Sequence, residues 1–281
     1  MAKRVLTGAV LILAVGAVIW VWRPWIEIVL ALVMLLSFHE IFCAFRAGNA
    51  RPVEWPGYLY ALLCGFSAAF GDKIGIPALS GARSAFMWLV LAAMLAICAV
   101  VLRGKVDFDS LTASVFPLIY PGAFFAVFLW LPSLGERKVG TLAVLLAIFV
   151  ASMNDCFALF AGMAFGKRKL SPQISPKKTV EGSVGGLIAA VLFAILLPLA
   201  VRGIAGDPGQ KFPPLWTFAP VGLIAGAFSQ IGDLTASLIK RHCGIKDFGK
   251  IFPGHGGVLD RLDGILFAAV PWYVFFATMG Y

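Results

Sequence analysis

The chain is 281 residues long, 60% hydrophobic and only 13% charged, with a mean hydropathy of +0.92. Soluble domains run about 45–50% apolar and about 25% charged, so a one- or two-domain soluble enzyme is excluded, as are a disordered chain, a collagen and a disulfide scaffold. The formal charge of +9, from 23 Lys+Arg against 14 Asp+Glu, falls mostly in short connections between apolar runs. There it sets orientation and meets lipid phosphates, which makes the bilayer a partner and nucleic acid not one.

A spanning helix needs about 20 mostly apolar residues. Nine windows come near that length: about 5–22, 26–44, 57–76, 84–102, 112–132, 141–161, 183–201, 215–236 and 262–280. Only helices satisfy their own backbone in lipid, so the expected fold is an all-α polytopic integral membrane protein with about nine transmembrane helices. The first window, opened by Met1-Ala2-Lys3-Arg4, reads as a retained span rather than a signal peptide. The third is the weakest, because Asp72 and Lys73 interrupt its end. Cys43, Cys64, Cys98, Cys156 and Cys243 show no metal or disulfide spacing and read as small apolar fillers.

With the N-terminus inside, the inner connections hold Lys3, Arg4, Arg46, Arg51, Arg103, Lys105, Lys167, Arg168, Lys169, Lys177, Lys178, Lys240, Arg241, Lys246, Lys250 and Arg261. Only Arg23, Lys73, Arg83, Arg137, Lys138, Arg202 and Lys211 are left outside. The positive-inside rule therefore selects a cytoplasmic N-terminus and a periplasmic C-terminus. It puts the connections 162–182 and 237–261 on the same cytoplasmic face. No internal repeat is evident, which argues against a transporter built from duplicated halves.

Chemistry concentrates between Asp233 and Asp263, a stretch that carries nine charged residues: Asp233, Lys240, Arg241, Lys246, Asp247, Lys250, Asp260, Arg261 and Asp263. Each costs on the order of 2.5–3.5 kcal/mol at the centre of a helix in lipid, so they must be hydrated, paired or bound to ions. Asp260 and Asp263, three apart, share one face of the last helix. With Asp233 they form a hard-oxygen set that can hold Mg²⁺ against a phosphate; an acidic pair answering a helix dipole is the alternative. The glycines of Phe252-Pro253-Gly254-His255-Gly256-Gly257 let successive N–H groups face an anion. His255 reads as a proton carrier, a phosphate contact or a hydrogen-bonded structural group.

In the other connection, Ser175 and Pro176 are read as the cap and first residue of a helix, with Lys177, Lys178 and Thr179 facing an anion. Asp155, within an apolar run, is either functional or paired to a cation. Gly222 and Gly226 read as a close-packing site in the eighth span.

Ser237-Leu238-Ile239-Lys240-Arg241, Lys246-Asp247 and His255-Gly256-Gly257-Val258-Leu259-Asp260-Arg261-Leu262-Asp263 together resemble the signature of phosphatidate cytidylyltransferases, the CDP-diacylglycerol synthases. Asp155 through Lys167, and Ser175 through Gly182, resemble that family's second cytoplasmic block. The block departs from the family at Leu159, where an aromatic is expected, and at Gly162-Met163, where a Gly-Arg pair is expected. Residues 1–140 match only in hydropathy.

The resemblance implies cytidylyl transfer from CTP to phosphatidate at the cytoplasmic face of a bacterial inner membrane. It implies Mg²⁺ on Asp233, Asp260 and Asp263, with room for a monovalent cation such as K⁺. Lys240, Arg241, His255 and Arg261 are then the other catalytic candidates. Substrate binding falls to Asp155, Ser175, Lys177, Lys178, Thr179, Glu181, Lys246, Asp247, Gly256 and Gly257. Residues 141–281 are thus expected to be the catalytic region, and 1–140, with about five helices, a supporting wall or the interface of a homodimer.

The rival readings are an anionic-solute transporter, which would spread ionisable groups through several spans, and a membrane polyprenol kinase. A CDP-alcohol phosphotransferase would need a D-G-x-x-A-R pattern that the chain lacks.

Overall fold

Lipid offers the backbone no hydrogen-bond partners, and the chain answers with helices almost throughout. The computed structural model describes residues 16–17, 21–75, 79, 81–205, 212–252 and 256–281. In chain order these form α1 (Trp25–Ala47), α2 (Trp55–Ile74), α3 (Gly81–Val101) and α4 (Phe108–Pro117). A π-helical turn (Leu118–Ala123) leads into α5 (Phe124–Trp130). Then come α6 (Arg137–Phe165), a hairpin of β1 (Lys169–Ser171) and β2 (Ser175–Thr179), α7 (Val180–Ala205), α8 (Phe218–His242) and α9 (Leu259–Thr278).

Among the described residues, six segments are long and apolar enough to cross a membrane: Trp25–Ala47, Gly81–Val101, Phe108–Ser133, Arg137–Phe165, Val180–Gly203 and Leu215–His242. The protein is therefore a multi-pass helical membrane protein. Two further windows of the expected nine, the third and the ninth, do form helices, α2 and α9. Each has 20 residues, enough for about 30 Å of rise. Asp72 and Lys73 in α2, and Asp260, Arg261 and Asp263 in α9, make them less apolar than the six. The first window, 5–22, lies almost wholly outside the described residues.

One expectation is overturned. Ser175 and Pro176 do not start a helix; they belong to β2, which pairs antiparallel with β1 through Lys169↔Thr179 and Ser171↔Ser175. A residue before proline is pushed out of the α region, and proline itself suits an edge strand, where it needs no donor. The helix starts at Val180 instead, capped by Thr179, whose Oγ1 accepts the Gly182 N–H at 3.1 Å.

The chain divides into two compact units, each assembled from separate stretches: Met1–Trp130 with Lys240–Leu262, and Leu131–Ile239 with Asp263–Tyr281. The first unit packs α1 against α2 around fully buried Phe38, Phe42 and Tyr60. Gly57 lets the two helices close up, since a Cβ there would lie 2.8 Å from the Phe42 ring. The loop before α2 is pinned to α4: Arg51 and Val53 donate their N–H groups to the hydroxyls of Ser110 and Ser114, both at 2.8 Å.

In the second unit, α6, α7 and α8 meet through small residues. Gly182 faces the Ala158 carbonyl, Gly185 faces Ala161, and Gly222 and Gly226 face Ala194 and Ala190. The Gly222/Gly226 pair is thus the close-packing site its spacing suggested. All five cysteines are free.

Gly222→Leu is expected to lower stability by about 1–3 kcal/mol through overpacking against Ala194, read as a lower Tm in detergent. Gly203→Ala, where a Cβ meets nothing within 4 Å, leaves Tm unchanged or raises it slightly. Equal Tm values for the wild type and Gly222→Leu would contradict the tight α7–α8 contact.

Candidate active site

The second unit contains a cavity of about 390 Å³, lined by α6, the hairpin, α7 and α8. Its construction begins with the hairpin. Glu181, in the first turn of α7, accepts the N–H groups of Lys167 at 3.0 Å and Arg168 at 3.2 Å, and Val180 N–H donates to the Arg168 carbonyl at 2.9 Å. Glu181 therefore ties the start of the hairpin to the start of α7.

The cavity wall is two-sided in chemistry. Asp155, Lys177, Lys178, Thr179, Ser183, Gln230 and Asp233 supply polar groups, while Ala158, Leu159, Met163 and Leu170 are apolar. Leu159 and Met163, which stand where the resembled family has other residues, are 60% and 68% exposed. Gly162 leaves room for the Thr179 hydroxyl, which would lie 3.0 Å from a Cβ at that position.

Lys178 forms an ion pair with Asp233, and Ser237 Oγ lies 3.4 Å from the same carboxylate. Both partners keep about a quarter of their side-chain surface exposed. A lysine and an aspartate that still reach an open cavity can exchange partners when a charged ligand enters.

Behind this pair is a polar network that sequence reasoning missed. Gln230 donates from Nε2 to Asn154 Oδ1 at 2.9 Å and to the Ser183 carbonyl at 3.0 Å, and Ser183 Oγ donates to Gln230 Oε1. Asn154 Nδ2 reaches the Gly226 carbonyl at 3.4 Å. Asn154 is fully buried and Gln230 nearly so. The signal that could have found them is that amides inside apolar spans are expensive unless paired. The network links α6, α7 and α8 immediately behind Asp155 and Asp233.

Asp263 is buried, and its Oδ1 accepts the Gly264 N–H at 2.8 Å. Gly232, the neighbour of Asp233, has no room for a Cβ against the Asp263 carbonyl. Gly264 likewise closes on Ser229 Oγ, 2.7 Å from its Cβ position. Mg²⁺ is commonly held by one or two carboxylates plus substrate phosphates rather than by a protein cage. The hard carboxylates of Asp233 and Asp263, on helices that glycines bring into contact, suit that kind of binding. Among the described residues, no three His, Cys, Asp or Glu side chains form a ready cage.

In the first unit, Asp260 is engaged by three donors: Lys240 Nζ to Oδ1 at 2.7 Å, and Phe248 N–H and Gly257 N–H to Oδ2 at 2.8 and 3.0 Å. Lys240 also sits 5.3 Å from the centre of the Phe248 ring. Gly256 has φ +86°, a conformation that favours glycine. Val258 and Leu259 N–H groups donate to Glu40. The N–H groups of this glycine-containing turn do face anions, and those anions are carboxylates of the chain itself. Arg241, Lys246, Asp247 and Arg261 are exposed. His255 lies outside the described residues.

The family model described as the cytidylyltransferase family matches residues 2–279. A phosphatidate cytidylyltransferase of Bacillus subtilis is 30% identical over 284 residues, covering 99% of this chain and 98% of the relative. This chain belongs to the cytidylyltransferase family. Other cytidylyltransferases match over shorter stretches: one from Thermotoga maritima is 37% identical over 172 residues, 61% of each chain. One from Haemophilus influenzae is 43% identical over 137 residues, 48% of this chain and 46% of the relative. The chain thus spans less than two thirds of those two relatives and nearly all of the Bacillus one. Both are named phosphatidate cytidylyltransferase.

Gln230→Leu is expected to destabilise the protein by about 1–3 kcal/mol, because it strands the buried Asn154 amide. Paired with Asn154→Leu, it should cost less than the sum of the two single changes, as a double-mutant cycle on Tm or urea midpoint would report. Additive effects would break the network assignment.

Proposed function

We propose that the chain transfers the cytidylyl group of CTP to phosphatidate, giving CDP-diacylglycerol and pyrophosphate for phospholipid biosynthesis. The observation that carries this reading is the family match over residues 2–279, together with a full-length relative of that name. The cavity's chemistry supports it: charged and amide groups on one side, and exposed apolar side chains on the other, suit an amphiphile with an anionic head.

A phosphate oxygen of phosphatidate attacks the α-phosphorus of CTP. The bond from that phosphorus to the bridging oxygen of the β-phosphate breaks, and pyrophosphate leaves with the bonding pair. The nucleophile is already anionic at neutral pH, so the chain needs no general base. Its work is charge neutralisation and in-line positioning of two polyanions.

Lys178, released from Asp233 as a phosphate enters, would pair with that phosphate, with Lys177 and the Thr179 hydroxyl beside it. Lys240, Arg241 and Arg261 are the further cationic candidates, Lys246 and Asp247 lie in the same connection, and His255 would be a phosphate contact rather than a base. Asp233, Asp260 and Asp263 are the proposed Mg²⁺ ligands. The ion would supply charge neutralisation at the nucleotide phosphates. A monovalent cation such as K⁺ beside them belongs to the same reading.

We place the site at the cytoplasmic face of a bacterial inner membrane, in a chain of nine spans with its N-terminus inside and its C-terminus outside, able to pair as a homodimer. The excess of Lys+Arg in the connections 162–182 and 237–261 supports this orientation.

Pyrophosphate release by the purified protein should require CTP, phosphatidate and a divalent ion together, and chelation should stop it until Mg²⁺ is restored. Phosphatidate-independent release would refute the reading. Lys178→Met and Asp263→Asn are each expected to lower kcat by roughly 10²-fold or more with normal membrane insertion, and near-normal rates would remove the assigned roles. Lys250→Cys, in a background without the five native cysteines, should react with impermeant thiol reagents from the cytoplasmic side alone. Labelling from the periplasm would reverse the topology.

A further inference from the structure

Glu40 is an acid in the middle of an apolar helix, 3% exposed and neighboured by fully buried Phe38, Ile41 and Phe42. A carboxylate is retained in such surroundings when every oxygen has a donor. Here Oε1 accepts the Val258 N–H at 2.9 Å and Oε2 the Leu259 N–H at 2.8 Å. Those donors are the entry to α9, two and one residues before Asp260, and free N–H groups at a helix start favour an anion.

The surrounding sequence is shaped to admit this carboxylate. Gly249 and Gly257 both lie against Glu40 with no room for a Cβ. Asp260 grips the same segment from the other side, through the N–H groups of Phe248 and Gly257. Phe248 and residues 257–259 of the first unit are thus held between two carboxylates, one local and one 218 residues away in sequence.

We propose that Glu40 is a positioning residue for cytidylyl transfer: by fixing the Val258 and Leu259 N–H groups it sets where α9 begins and the direction in which Asp260 leaves it. This rests on the function proposed above. It gives the N-terminal helices a task in the reaction although Glu40 touches no reacting atom. Small displacements of a reacting group are costly, with 1 Å worth roughly 10²-fold in rate.

The test uses the full-length protein in detergent with Glu40→Gln, an isosteric change whose amide turns an NH₂ toward one of the two N–H donors. Hydrogen exchange at Val258 and Leu259 should accelerate. The kcat per folded molecule should fall by roughly 10- to 100-fold with KM for CTP and phosphatidate little changed. A purely structural role would instead lower Tm and yield while leaving kcat per folded molecule intact. Gly257→Ala, which pushes a methyl group at the Glu40 carboxylate, should reproduce the same split. Unchanged exchange at 258 and 259, or faster exchange with wild-type kcat, would overturn the proposal. Absence of any cytidylyl transfer by the wild-type protein would instead defeat the function, while the exchange measurement would still report on the Glu40 contact.

Discussion

A charge on a helix in lipid must be matched within hydrogen-bonding distance, and this requirement organises the polar half of the protein. Lys178 answers Asp233, Lys240 answers Asp260 at 2.7 Å, and Glu40 is answered by two backbone N–H groups. Each match joins residues from different elements, so each also acts as a tertiary tie. Pairs that remain partly exposed, such as Lys178 and Asp233, can be given up to a ligand. The fully enclosed Glu40 contact cannot be surrendered cheaply, which suits a group that holds geometry rather than one that meets substrate.

Close helix packing is the second constraint, and it is met by subtraction of side chains. Lipid tails are as apolar as leucine, so helix association draws on van der Waals contact and interhelical hydrogen bonds. Gly182, Gly185, Gly222 and Gly226 bring α6, α7 and α8 together, and Gly232 brings α8 onto α9 beside Asp263. The same close approach makes the Asn154–Ser183–Gln230 bonds possible, because side chains as short as serine span the gap. Packing and polar satisfaction thus support each other behind the cavity.

Much of this was legible in the sequence, for identifiable reasons. Apolar windows of about 20 residues have one viable backbone solution in lipid, and eight of the nine windows lie on described helices. The charged stretch from Asp233 to Asp263 stood out against its surroundings, and its spacing carried the family resemblance. Ser175-Pro176 is ambiguous in sequence because a capping residue followed by proline is compatible with either a helix start or an edge strand, and pairing with Lys169–Ser171 decides for the strand. Glu40 could not be found from local pattern, since its partners lie 218 and 219 residues away. Asn154 was overshadowed by its neighbour Asp155, and Gln230 by Asp233, although a buried amide asks for a partner just as a charge does.

The central claim is that phosphatidate takes the nucleotide's α-phosphorus, and the fate of that atom tests it most directly. Purified protein is given phosphatidate with CTP carrying radioactive phosphorus at either the α or the γ position. The account predicts that α label passes into the chloroform-soluble lipid while γ label stays in water as pyrophosphate. Lipid labelled from the γ position, as a kinase would produce, or no lipid labelled from the α position would contradict it.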